Sequence, residues 1–196
     1  ALEVGLTAAD IREGHRRDQN QVFFSVDRAR RVHSWLLSQH LSYDQLRLAS
    51  RNYTKLWGTN ALRMQRYKEH VQQQLSVKDS QWRKLFITMP QALLAAPERV
   101  EGVIAWLEAR PLGFSRAEVT KLWLSFPALF SVPAGVLQQR LGQLASRFSL
   151  SEASMRRVVI SSSPVLARSS AAIIQQLDSL LAAAPCLRAS ISWLLC

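Results

Sequence analysis

The sequence predicts an all-α fold, a right- or left-handed α-solenoid of about three clear helical repeats with degenerate ends. Pro90, Pro127 and Pro164 follow one another at intervals of 37 residues. An apolar triplet precedes each proline, at 85–87, 122–124 and 158–160. Self-similarity at a period of about 20–50 residues is typical of arrays whose units bury their apolar faces only by stacking on a neighbour.

Each repeat is predicted to be a pair of helices with a break at the proline. Proline lacks an N–H and disfavours the α conformation of the residue before it, so a helix that begins near Ala117 should end near Phe126. The second helix can begin a few residues later, where proline is tolerated and serine can cap. The residues at that place are Pro97, Pro133 and the pair Ser169 and Ser170.

The second helices also repeat an apolar spacing. Ten and seventeen residues after the prolines the sequence has Val100 and Leu107, Leu137 and Leu144, and Ile174 and Leu181. A separation of seven residues is two helical turns, so these positions share a face and are predicted core residues.

Local signals mark where the first helices begin. Ser115 with Glu118 matches the capping box, and Ser76 with Asp79 approximates it. Gly113, just before this box, is expected to end the preceding helix. Leu150 and Ser151 open the following copy, which has no glycine at this place.

One unit carries a family resemblance. Residues 112–118 read Leu-Gly-Phe-Ser-Arg-Ala-Glu, residues 126–130 read Phe-Pro-Ala-Leu-Phe, and residues 141–144 read Leu-Gly-Gln-Leu. This unit resembles the repeat of the mitochondrial transcription termination factor family, and looser copies extend the resemblance over about 75–181. It implies a mitochondrial protein that acts in transcription regulation or termination, or in ribosome biogenesis.

The predicted organisation has two parts. Residues 1–31 form a basic N-terminal segment that we expect to be exposed and partly mobile. Residues 32–196 form the helical repeat domain, with clear repeats at 75–111, 112–148 and 149–181. Residues 32–74 are predicted to be a degenerate terminal repeat, because an end unit must solvate one face. Residues 182–196 are an incomplete end.

Several functional classes lack their sequence signals. No apolar run approaches the ~18 residues that a membrane span requires, so we expect none. Cys186 and Cys196 form neither a disulfide framework nor a zinc motif, and the four histidines lack metal-ligand spacing. Without a Gly-rich phosphate loop or a nucleophile elbow, the sequence predicts no enzyme, no catalytic residues, no metal and no cofactor.

The charge predicts a polyanionic partner. The chain has 25 Lys and Arg against 14 Asp and Glu, a net charge of +11 and a pI near 10.8. Such a balance is typical of nucleic-acid-binding domains. The excess is spread over both halves of the chain, so the anion-binding surface should belong to the folded array.

The cations also follow the repeat. A lysine or arginine lies six or seven positions before each proline, Arg156 adjoins the last of them, and one further arginine lies on a second helix. Equivalent positions of a stacked array form a stripe, which suits a phosphate backbone. A solvated outer face without a ligand would show the same cations. The predicted nucleic-acid-binding residues are Arg83, Lys84, Lys121, Arg140, Arg156 and Arg157.

Two functions are therefore open. The first is a nucleic-acid-binding factor that contacts phosphates of double-stranded DNA or structured RNA; four to six contacts predict a log–log salt slope of about −4 to −5 on duplex DNA. The second is a non-catalytic adaptor that docks on a mitochondrial RNA–protein assembly or an RNA-modifying enzyme. Its predicted protein-binding site is the apolar end at 191–196, which packing on the last helix would equally explain. Trp123 is predicted to be core, and base stacking by the other tryptophans is a weaker hypothesis.

Overall fold

Every regular element in the described part of the chain is helical, which confirms the predicted all-α class. The computed structural model describes residues 26–91, 95–161, 163–167, 175 and 179. Residues 1–25 of the predicted N-terminal segment lie outside this part, and residues 26–31 belong to the first helix. The α-helices are α1 (Val26–Ser38), α2 (Tyr43–Asn52), α3 (Ala61–Leu75), α4 (Asp79–Thr88), α5 (Pro97–Glu108), α6 (Arg116–Ser125), α7 (Ala134–Phe148), α8 (Glu152–Ser161) and α9 (Ser163–Ala167).

The chain divides into two compact units, Ala1–Pro97 and Glu98–Cys196. Short 3₁₀ segments at Thr54–Gly58 in the first unit and Pro127–Ser131 in the second separate α2 from α3 and α6 from α7. We call α2, α4, α6 and α8 the first helices, and α1, α3, α5 and α7 the second helices. None of the described helices is long and apolar enough to cross a membrane.

The first helices recur at a nearly constant interval. They begin at residues 43, 79, 116 and 152, so successive starts are 36, 37 and 36 residues apart. The same intervals separate four residues with positive φ: His40 (60°), Ser76 (51°), Gly113 (56°) and Ser149 (50°). Each first helix is therefore preceded by a left-handed turn, a conformation that glycine adopts at little cost and other residues adopt with strain.

This geometry corrects the interpretation of Ser76. The residue does not cap α4, because it is the left-handed C-cap of α3, and Lys78 occupies the N-cap of α4. The box at Ser115 is confirmed: Glu118 N–H donates to Ser115 Oγ (3.4 Å), and Ser115 N–H donates to Glu118 Oε2 (2.8 Å). α6 ends at Ser125, next to the predicted Phe126.

Counted from the start of the first helix that precedes it, Pro164 lies one residue farther along the chain than Pro90 and Pro127 do. Both of those prolines are buried and begin 3₁₀ turns, whereas Pro164 is exposed and is the second residue of α9. Ser163, which is 2% exposed, takes the buried place and donates its hydroxyl hydrogen to the carbonyl oxygen of Val159. The strict 37-residue period is therefore wrong in this last repeat.

The predicted core positions of the second helices are buried wherever they are described. The seventh and eighth residues of each first helix are also buried, and they include the first two members of each apolar triplet. The third members are less buried: Ile87 and Leu124 are half-buried, and Ile160 is 57% exposed. Ile174 and Leu181 lie outside the described residues. Among the second helices, the predicted core residues that are at most 1% exposed are Val100, Leu107, Leu137 and Leu144.

Arginines tie the second helices to the short segments that follow them in the chain. Within the first unit, Arg28 Nη1 donates to the carbonyl oxygen of Gly58 (3.4 Å). Within the second unit, Arg99 Nη1 donates to the carbonyl oxygen of Ser131 (3.0 Å). Each acceptor is the last carbonyl of a 3₁₀ segment, so the guanidinium satisfies a group that the segment itself leaves unpaired.

Lys68 joins α3 to α4 and to Gln39, the residue that follows α1. Its Nζ lies 2.7 Å from Asp79 Oδ1 and 2.6 Å from Gln39 Oε1, and 5.3 Å from the centre of the Trp82 ring. The hydrogen bond from Lys68 is the main reason that the pKa of Asp79 lies below its ordinary value. Lys68 therefore has a structural role at the edge of the core.

We predict opposite effects for two glycine substitutions. Gly113→Ala should lower the free energy of unfolding by about 1 kcal/mol, because alanine is strained at positive φ. Gly142→Ala in α7 should raise it by about 0.5–1 kcal/mol, because the added Cβ meets no atom within 4 Å and alanine has the higher helix propensity. Urea unfolding of the full chain measures both.

Ser149 has the equivalent place in the turn before α8. Replacing it by glycine should stabilise the chain, because glycine adopts a positive φ with less strain than serine. Destabilisation by Ser149→Gly would contradict a left-handed requirement at Ser149. Equal effects of the two alanine substitutions would contradict it at Gly113.

Candidate nucleic-acid interface

Three of the predicted cations occupy the same place in three helices. Lys84, Lys121 and Arg157 are the sixth residues of α4, α6 and α8, and each is exposed. No other residue in the described ranges forms a hydrogen bond or an ion pair with any of these three side chains. The geometry therefore leaves their charged groups available to an anion in solvent.

α2 shows that packing does not demand a cation at this place. Its sixth residue is Leu48, which is 47% exposed, and its seventh and eighth residues are buried as in the other first helices. A neutral side chain is thus compatible with the helix, its cap and its core contacts. The charge at the sixth position of α4, α6 and α8 is an addition that the fold itself does not require.

Arg156, the fifth residue of α8, is bound within the second unit. It donates to the carbonyl oxygen of Leu112 and, through Nη2, to Glu118 Oε1 at 2.8 Å. Its guanidinium carbon lies 4.3 Å from the centre of the Phe114 ring. These contacts hold α8 against the turn that precedes α6, so Arg156 stabilises the fold, and its contact with phosphate stays a prediction.

We call Lys84, Lys121 and Arg157 the sixth-position set. The other two predicted cations also differ from this set. Arg140 is half-buried and donates from Nη1 to the carbonyl oxygen of Leu166 (2.8 Å), which ties α7 to α9. Arg83 is half-buried, and its charge is one of the lesser causes that lower the pKa of Asp79. The structure brings neither side chain to the exposed position that Lys84, Lys121 and Arg157 share.

The structure adds three hydroxyls that the sequence interpretation missed. Thr88, Ser125 and Ser161 are the tenth residues of the same first helices and are exposed. Their hydroxyls donate to the carbonyl oxygens of Lys84 (3.1 Å), Lys121 (2.9 Å) and Arg157 (2.8 Å). The signal was present in the sequence as Lys or Arg, three residues, then Ser or Thr.

Other candidate groups do not form a site in the described residues. Trp57, Trp82 and Trp123 are buried, which confirms the core prediction for Trp123. Within the described ranges, no group of three or more His, Cys, Asp or Glu side chains is placed to hold a metal ion. Trp193 and the predicted protein-binding end at 191–196 lie outside the described residues.

Comparison with protein-family models and with curated proteins found no match to this chain.

Glu118 provides a pH-dependent test of the contacts that its carboxylate makes with Ser115 and Arg156. The backbone N–H of Ser115 is the largest cause that lowers the pKa of Glu118, followed by the Ser115 hydroxyl, with Arg156 adding to both. Because the folded pKa lies below the unfolded value of about 4.3, ionised Glu118 stabilises the fold above that pH. This contribution is lost as the pH falls through the folded pKa.

Glu118→Gln should therefore lower the melting temperature at pH 7, and the difference from the wild type should shrink as the pH falls below about 4. Circular dichroism melts over a pH series measure it. A difference that persists unchanged at the lowest pH would show that the amide disturbs the fold for another reason.

Proposed function

We propose that this protein is a non-enzymatic nucleic-acid-binding factor that contacts the phosphates of duplex DNA or structured RNA. The observation that carries the proposal is the exposed cation at the sixth position of three first helices, Lys84, Lys121 and Arg157. The net charge of +11 supports it, because a chain with this excess attracts polyanions over a long range.

The proposed mode of recognition is mainly through the phosphate backbone. Lysine and arginine contacts to phosphates release condensed counterions and position a protein on a nucleic acid, whereas sequence is read from base edges. Lys84 and Lys121 present compact ammonium groups, which bind phosphate as point charges without a strict geometry. Binding of this kind is salt-sensitive and tolerant of sequence.

We further propose that the chain is an α-solenoid of the mitochondrial transcription termination factor type. The intervals of 36 and 37 residues between first helices support this, as does the link from Arg99 to the carbonyl of Ser131. The resemblance of residues 112–144 to the family repeat supports a role in mitochondrial transcription or ribosome biogenesis. It also supports the alternative, a non-catalytic adaptor on an RNA–protein assembly.

The decisive measurement is binding of the full chain to a duplex DNA, a structured RNA and heparin over a salt series. The variant Lys84→Gln, Lys121→Gln, Arg157→Gln should bind more weakly, and the magnitude of its log–log salt slope should fall by about three, one for each phosphate contact removed. Fluorescence anisotropy gives the affinity and the slope together.

A matched control removes the same charge elsewhere. Arg31, Arg66 and Lys78 are exposed and lie outside the sixth-position set. Replacing these three by glutamine should leave the slope close to the wild-type value. Equal losses in both variants would assign binding to net charge alone, and no binding to DNA or RNA at low salt would favour the adaptor.

A further inference from the structure

We infer that α4, α6 and α8 each carry a two-donor subsite for one phosphodiester group, formed by the cation at the sixth position and the hydroxyl at the tenth. The pairs are Lys84 with Thr88, Lys121 with Ser125, and Arg157 with Ser161. The inference rests on the proposed function and names the groups that bind the phosphate. Each subsite stands on its own helix.

Helix geometry places the two members of a pair together. Residues four apart lie on the same helix face, about one turn from each other. All six side chains are exposed, so both donors open to solvent on that face. A phosphodiester has two non-bridging oxygens, and the flexible cation can take one while the hydroxyl takes the other.

The hydroxyl can change partners without leaving a backbone group unpaired. Each hydroxyl donates to the carbonyl four residues earlier, at 2.8–3.1 Å in the three helices, and the Thr88 hydroxyl also lies 3.2 Å from the Leu85 carbonyl, which the Met89 N–H pairs as well. In an α-helix the carbonyl four residues earlier also accepts the backbone N–H of the hydroxyl-bearing residue. Turning the hydroxyl to phosphate therefore exchanges a neutral hydrogen bond for a charge-assisted one, which is roughly twice as strong.

Cation and hydroxyl are absent together from α2. That helix has Leu48 at the sixth position and Asn52 at the tenth. Asn52 Nδ2 donates to the carbonyl oxygen of Ile87 (2.8 Å), so this side chain serves packing inside the first unit. A hydroxyl used only to end a helix would not have to follow the cation, whereas a phosphate ligand would.

The test removes the hydroxyls and keeps every charge. The variant Thr88→Val, Ser125→Ala, Ser161→Ala should bind duplex DNA and structured RNA about ten-fold more weakly at fixed salt, since each lost hydrogen bond contributes a factor of a few. Its salt slope should match the wild type, because a neutral hydroxyl releases no counterion. The cation variant changes the slope, so the two effects are separable.

Two further variants serve as controls. Thr120→Val removes a hydroxyl of the same bonding type, Oγ1 to the carbonyl of Arg116 at 2.9 Å, from the fifth position of α6 and should leave binding unchanged. A second control keeps all three hydroxyls, as Thr88→Ser, Ser125→Thr and Ser161→Thr, and should bind with wild-type affinity. It tests the subsite without removing a hydroxyl, so it stays informative if the hydroxyl-free variant is unstable.

The outcomes distinguish the two levels of the proposal. Wild-type affinity in the hydroxyl-free variant, or an equal loss in the conservative one, overturns the subsite while the salt slope of the cation variant still tests phosphate binding. A wild-type chain that binds neither DNA nor RNA overturns both.

Discussion

The left-handed turn before each first helix sets the phase of everything that follows it. Once the turn at Ser76, Gly113 or Ser149 fixes where the helix begins, the seventh and eighth residues face the core. The sixth residue then projects outward, since each residue is rotated by about 100° from its neighbour. A start shifted by one residue would rotate the cations along with the core residues. The candidate interface therefore depends on a backbone conformation that is outside the interface itself.

The proline pattern predicted the helical class and the core because both follow from local chemistry. It failed at Pro164, because Ser163 takes the buried place one residue earlier and donates to the carbonyl oxygen of Val159. A proline therefore marks a break between helices only to within about one residue. Ser76 shows the same limit, because serine is favourable at an N-cap and tolerated in a C-terminal turn, and only the surrounding backbone distinguishes the two.

Part of the candidate site could likewise be predicted from neighbouring residues in the sequence. The apolar residues that follow Lys84, Lys121 and Arg157 mark the buried face of each helix, so the sequence alone predicts that these three cations face outward. Arg140 and Arg156 differ because their partners, the carbonyls of Leu166 and Leu112, come from distant parts of the chain. No spacing pattern around either arginine records such a partner. The hydroxyls were missed for another reason: serine and threonine before a proline look like helix-end chemistry until their equivalence across helices is visible.

The side-chain chemistry of arginine suits it to the structural contacts that several cations of this fold make. Backbone carbonyls are held by arginines such as Arg140 and Arg156, whose planar, multi-donor guanidinium can satisfy a fixed acceptor and still pack on a ring, as Arg156 does on Phe114. These charges contribute to the long-range field but are already held by protein partners. Under the proposed function, direct phosphate contacts are therefore fewer than the net charge of +11 suggests. Under that proposal, long-range attraction of a nucleic acid depends on the whole charge, whereas the salt slope of binding depends on the few exposed side chains that contact phosphates.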